Sequence, residues 1–234
     1  MSEIPQRLAD IRRKIDGACH RAGRMPATVQ LIAVSKGFEP DRLLEAAAAS
    51  QRDFGESYVQ EAIPKIAALQ ALGHGGLAWH FIGGIQTNKT RAIATHFDWV
   101  HSVDRLDIAE RLAAQRPPEL PPLNVCVQVN LAAQPDRAGR APEVAASLCT
   151  EIAQLPRLVL RGLMTLPVPS NDPDAPRAAF RAMRGLLMHI RHIGAVDAHR
   201  FDTLSMGMSD DFEIAVEEGA TLVRVGTAIF GRRP

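Results

Sequence analysis

Short apolar runs alternate with stretches of helical periodicity along the whole chain. Ile4, Leu8, Ile11, Ile15 and Cys19 recur at helical spacing and predict a first helix over residues 4–22, with its arginines on a solvated face. VQLIAVSK (29–36) is a β-branched strand ending at Lys36. Strands follow at 53–57 (DFGES), 78–83 (AWHFIG), 98–103 (DWVHSV), 124–130 (NVCVQVN), 158–166 (LVLRGLMTL), 203–207 (TLSMG) and 222–230 (LVRVGTAIF). The segments between them predict helices at 40–50, 58–72, 87–96, 105–115, 141–154 and 177–193. A last helix opens at Ser209-Asp210-Asp211, where Asp210 and Glu213 form a capping-box pattern.

Strands that read as continuous apolar runs are buried on both faces, as in parallel sheets covered by helices. Eight strands, each separated from the next by a helix, fit an α/β fold: a single TIM-type (β/α)8 barrel with an extra N-terminal helix, one domain over 1–234. A doubly wound open sheet is the alternative, but it usually carries a glycine-rich fingerprint after its first strand. Here that strand ends in SKGFEP, which lacks it. A closed barrel needs no partner to cover sheet edges, so a monomer is expected.

Composition narrows the partners. Lys+Arg 27 against Asp+Glu 26 leaves a net charge of +1, which offers no field for nucleic acid or an anionic membrane. The chain has no apolar run long enough to span a bilayer, and its N-terminus lacks the apolar core of a signal peptide. Three scattered cysteines, Cys19, Cys126 and Cys149, fit reduced, buried thiols. A cytoplasmic protein is therefore expected. The eight histidines show no metal-ligand spacing, so no metal is expected.

Barrel active sites lie at the C-terminal ends of the strands. Only four of the 27 basic residues are lysines (Lys14, Lys36, Lys65 and Lys89), and Lys36 stands at such an end. Arginine stays protonated near neutral pH, so where charge alone is wanted this chain uses it, and a lysine suggests amine chemistry. Partial burial would favour the neutral, nucleophilic amine; the alternative is a surface lysine past a strand. LSMGMS (204–209) and VGTAIFG (225–231) follow strands seven and eight, where barrels often build a phosphate site from glycine-rich loops and hydroxyls such as those of Ser205 and Thr227. Tight turns alone would also explain those glycines. Arg224, inside an apolar strand, must find a polar partner: a ligand in the lumen, or Glu217 or Glu218 in a core ion pair. Tyr58, the only tyrosine, is expected to pack on the second helix.

AVSK (33–36), FGESYVQEA (54–62), WHFIGGIQTNK (79–89), HSVDR (101–105), VQVN (127–130), LRGLM (160–164), LSMGMSDDFE (204–213) and VRVGTAIFG (223–231) occur in this order. Together they resemble the pyridoxal phosphate homeostasis proteins, the proline synthase co-transcribed family. The resemblance spans nearly the whole chain. It implies a barrel like the N-terminal domain of alanine racemase, with pyridoxal 5′-phosphate held as a Schiff base on Lys36. It further implies phosphate contacts from Ser205, Met206, Gly207, Gly226 and Thr227, and Arg224 facing the pyridine nitrogen. The chain departs from the family pattern at Ser57, where asparagine is usual, at Gly84, where the usual motif is GPLQ, and at Arg137-Ala138 in place of a lysine-serine pair.

Racemisation needs proton donors on both faces of a substrate α-carbon, and in alanine racemase the second is a tyrosine from a separate domain. This chain ends four residues after Phe230, so no such domain is expected. The resemblance implies a cofactor reservoir or carrier that regulates cofactor supply and amino-acid and keto-acid balance, without established catalysis, with pyridoxal phosphate-dependent apo-enzymes as expected partners. The alternatives are a weak amino-acid racemase or lyase, and a sugar-phosphate aldolase or isomerase using Lys36.

Overall fold

A computed structural model describes residues 3–132, 137–167, 172, 174–194 and 196–233. Eight parallel strands close in sequence order, β1 pairing with β8. They are β1 (Gln30–Val34), β2 (Asp53–Glu56), β3 (Ala78–Phe81), β4 (Trp99–Val103), β5 (Leu123–Val129), β6 (Leu158–Thr165), β7 (Thr203–Ser205) and β8 (Leu222–Val225). Around them lie α1 (Ile4–Arg21), α2 (Pro40–Ala48), α3 (Val59–Ala71), α4 (Thr90–His96), α5 (Leu106–Gln115), α6 (Pro142–Ala153), α7 (Ala175–His192), α8 (Phe212–Glu217) and α9 (Thr227–Phe230). The (β/α)8 barrel and its extra N-terminal helix are as the periodicity predicts. Among the described residues no helix is long and apolar enough to cross a membrane.

The predicted stripe of α1 is fully packed: Ile4, Leu8, Ile11, Ile15 and Cys19 are buried, each large aliphatic member contributing about 2 kcal/mol. Its arginines do more than face solvent. Arg12 Nη1 donates to the Ala49 carbonyl at 2.9 Å, and Arg21 pairs with Glu213 and Glu217. The helix is thereby tied to the end of α2 and to α8.

Two elements differ from the sequence reading. The segment 222–230 is not one strand: the ladder stops at Val225, and α9 follows Gly226. The predicted capping box is absent, since α8 begins at Phe212 with no side-chain cap bond. Asp211 instead turns its carboxylate back to accept the Met208 N–H at 2.6 Å. Tyr58 is exposed at the mouth of α3 rather than packed.

The thiols of Cys19, Cys126 and Cys149 are free and buried. Burial pushes Cys126 and Cys149 up to about 12, so neither is a nucleophile at neutral pH.

Between β5 and β6 the register shifts: Val125 pairs with Leu160 but Cys126 with Gly162, leaving Arg161 as the extra, bulged residue. Gly162 has φ of 154°, and a Cβ there would sit 1.9 Å from the Thr203 carbonyl oxygen on β7. Gly162→Ala is therefore expected to destabilise the fold by about 3 kcal/mol, a fall in melting temperature of roughly 6–12 °C by calorimetry.

Candidate functional site

Successive strand residues face opposite sides of a sheet. On β1, Ile32 and Val34 face the lumen, where their side chains lie 3.0 and 3.4 Å from the Cβ position of Gly55. Lys36 continues that parity just past the strand. It sits in a tight turn closed by the Phe38 N–H on the Ser35 carbonyl at 3.2 Å. Gly37 takes φ of 79°, and a Cβ there would meet the Arg233 side chain at 2.9 Å.

The outward neighbour Ser35 is anchored beneath α3. Its Oγ donates to Glu56 Oε1 at 2.7 Å, and Lys65 Nζ donates to the Ser35 carbonyl at 2.9 Å and to Glu56 Oε1 at 3.0 Å. Glu61 accepts from both Lys65 and the Gly37 N–H. Burial pushes the Glu56 carboxyl up, against the pull of Lys65. This buried cluster pins the turn that carries Lys36. Sequence reasoning passed over it, although Lys65 is one of the four lysines in an arginine-dominated chain.

Lys36 opens into a pocket of about 360 Å³ at the C-terminal mouth, with Arg224, Gly226 and Thr227 on its wall beside Ser209 and Arg233. That volume suits a small ligand. Partial burial depresses the Lys36 ammonium, Arg233 depresses it further, and Glu56 and Glu61 oppose both. The amine is thus a better nucleophile than an exposed lysine.

Arg224 is buried and finds neither Glu217 nor Glu218, which pair instead with Arg21, Arg177 and Arg181. Its Nη1 donates to Ser205 Oγ and its Nη2 to the Thr165 carbonyl at 2.9 Å. Desolvation lowers its pKa to about 10, while Asp211 and Cys126 raise it, so it stays a cation at neutral pH.

The sequence-predicted site residues therefore divide. Lys36, Arg224, Gly226 and Thr227 meet in one pocket. Ser205, Met206 and Gly207 lie buried beneath its wall. The Ser205 hydroxyl is engaged by Arg224 and by His101 Nδ1 at 2.7 Å. Gly207 has φ of 94° and a Cβ there would lie 2.6 Å from that of Ala215, so glycine is required for the approach of α8. Ser57, Gly84 and Arg137 are not on the pocket wall. Among the described residues no group of three or more His, Cys, Asp or Glu could hold a metal ion.

His80 and His101 escaped notice as functional residues because no metal spacing includes them. Both are fully buried, and His80 Nδ1 lies 3.0 Å from His101 Nε2. Burial, aided by His80 and Arg224, holds His101 well below the usual imidazole range, so it is neutral.

Residues 7–234 match the family model for the alanine racemase N-terminal domain. The chain is 53% identical over 233 residues to a Pseudomonas aeruginosa protein named pyridoxal phosphate homeostasis protein, covering 100% of this chain and 97% of that one. It is 47% identical over 237 residues to the Escherichia coli K12 protein of the same name, covering 100% and 98%. Among solved structures it is similar to PipY of Synechococcus elongatus with PLP bound, at 40% identity and a TM-score of 0.83 over 97% of this chain and 100% of that one. Alanine racemase from Corynebacterium glutamicum, at 17% identity and a TM-score of 0.64 over 96% of this chain and 62% of that one, shares the fold.

Two outcomes follow from these electrostatics. His101 is neutral when folded and must stay so, whereas the unfolded chain binds its proton near pH 6.5. Its contribution to stability is therefore present above about pH 6.5 and lost as pH falls, by up to about 1.4 kcal/mol per pH unit in urea titrations. Arg233→Gln removes a cation beside Lys36, so the pH at which Lys36 becomes open to reductive methylation rises.

Proposed function

Because the chain belongs to the pyridoxal phosphate homeostasis proteins, built on the alanine racemase N-terminal domain, we propose that it binds pyridoxal 5′-phosphate at the Lys36 pocket and acts as an intracellular reservoir for it. The observation that carries this reading is the meeting, in one pocket of about 360 Å³, of a pKa-depressed lysine amine and a buried guanidinium. When bound, the cofactor supplies an aldehyde that condenses with a neutral amine with loss of water. Lys36 is that amine. Arg224 would present a fixed positive charge to the ring nitrogen of the bound cofactor and so disfavour its protonation. Gly226, Thr227 and Ser209, on the same wall, would hold the phosphate. Glycine at 226 also lets the end of β8 lie close to β1, since a Cβ would sit 3.2 Å from the Val34 carbonyl oxygen. Ser205, Met206 and Gly207 form the buried base of that loop.

A carrier is favoured over a racemase by the chemistry of the wall. Racemisation needs two groups that exchange protons with opposite faces of one carbon. Besides Lys36, the ionisable groups on the wall among the described residues are Asp210, Arg224 and Arg233. Two of these are guanidiniums, which do not serve as bases near neutral pH. Among the described residues the wall holds no second lysine, tyrosine or histidine to pair with Lys36, and its one carboxylate is Asp210. The cofactor is released to dependent apo-enzymes in the cytoplasm, from a single-domain monomer.

Purified protein mixed with pyridoxal phosphate is expected to gain a visible absorption band. Borohydride is expected to fix the label on Lys36, read by peptide mapping. Lys36→Ala is expected to stay colourless. A label on Lys65 or Lys89 would overturn the assignment. Turnover of any amino acid in a substrate panel, lost in Lys36→Ala, would favour the racemase or lyase reading.

A further inference from the structure

A line of hydrogen bonds crosses the barrel behind Arg224, with a guanidinium at one end and a carboxylate at the other. Arg224 Nη1 donates to Ser205 Oγ. Ser205 Oγ lies 2.7 Å from His101 Nδ1. His101 Nε2 lies 3.0 Å from His80 Nδ1, and His80 Nε2 lies 3.0 Å from Asp53 Oδ1. Strands β4 and β7 are not neighbours, so the bond from His101 to Ser205 spans the lumen.

A carboxylate only accepts and a guanidinium only donates. If Asp53 is the carboxylate acceptor and both imidazoles are neutral, His80 carries its proton on Nε2, which leaves Nδ1 to accept. His101 must then also carry its proton on Nε2, and its Nδ1 accepts in turn. The Ser205 hydroxyl must therefore donate to His101 and offer only lone pairs to Arg224. Two neutral imidazoles satisfy every bond in this arrangement and in no other. The low proton affinity of the buried His101 agrees with it.

The line also joins the two mouths of the barrel. Asp53 and Gln30 begin β2 and β1, and Gln30 donates to Asp53 at 2.7 Å. Both border a crevice of about 310 Å³ at the N-terminal mouth, where Gln30 is exposed. Arg224 stands on the wall of the Lys36 pocket at the other mouth. Filling a barrel lumen with polar groups is costly unless all are satisfied, and apolar side chains of the same volume would pack the same space.

We propose that Asp53, His80, His101 and Ser205 are positioning residues for Arg224. The negative charge of Asp53 at one mouth fixes both imidazole tautomers and the Ser205 hydroxyl, and so aims the guanidinium into the ligand pocket at the other. What Arg224 faces there rests on the cofactor reading; the direction of the line does not.

Two measurements separate the claims. In the unliganded protein, ¹⁵N NMR of the imidazoles is expected to show His80 and His101 as neutral Nε2–H tautomers at pH 7. An Nδ1–H tautomer or a protonated ring at either position overturns the proposal, whatever the protein binds. In the holoprotein, Asp53→Asn keeps the shape but lets the line reverse. Pyridoxal phosphate affinity is expected to fall about three- to thirty-fold, with a changed visible spectrum, and Asp53→Glu to restore both. Wild-type affinity and spectrum in Asp53→Asn, or no recovery in Asp53→Glu, overturns it. If Asp53→Asn does not fold, the tautomer measurement decides. Wild-type protein that binds no pyridoxal phosphate would sink the cofactor reading and leave the tautomer result standing.

Discussion

Arg224 is a cation almost wholly withdrawn from water, and the lumen is arranged to make that tolerable. An unpaired charge in such a place would lose its proton or unfold its surroundings. Among the described residues no carboxylate pairs with it directly. Ser205 and the Thr165 carbonyl take two of its donors, and Asp211 supports its charge from nearby. The remaining donors have the pocket to turn to. A guanidinium held by fixed hydrogen bonds on its buried side is preorganised for a ligand, because little ordering is left to do when the ligand arrives.

The same strands carry a second buried polar system on their other face. Because side chains alternate, Lys36 projects to the lumen while Ser35 projects to α3, into the cluster of Lys65, Glu56 and Glu61. The two systems divide the work. The outer one holds the backbone of the turn by fixing its carbonyl and amide groups. The inner one sets the electrostatics that a ligand meets. A buried ion pair is poor evidence for stability in itself, since desolvation offsets much of the attraction. Its value here is geometric, in a turn where Gly37 already demands a left-handed backbone.

Much of this was legible along the chain. The alternation of apolar runs and helical periodicity specified eight β/α units, and Lys36 stood out because lysine is scarce. The end of β8 was misread, since Thr227, Ala228, Ile229 and Phe230 look like strand residues by type. Only Gly226, leaving the extended conformation, lets that segment wind into a turn beside the pocket. Asp210 and Glu213 had the right spacing for a cap, but Asp211 reached a backbone amide first. The histidines carried no signal at all, because their meaning lies in contacts between strands 21 residues apart and farther.

Periodicity and residue type, being local, were enough to determine the barrel, the strand end that bears the amine and the loops that flank it. Which donors face which acceptors was decided only by closure of the sheet, which brings β4 opposite β7 and carries Asp53 into line with Arg224. Ser205 shows the difference most plainly: along the chain it is a hydroxyl beside a glycine loop, free to bind an anion. In the folded barrel that hydroxyl is fully buried and already bonded to His101 and Arg224.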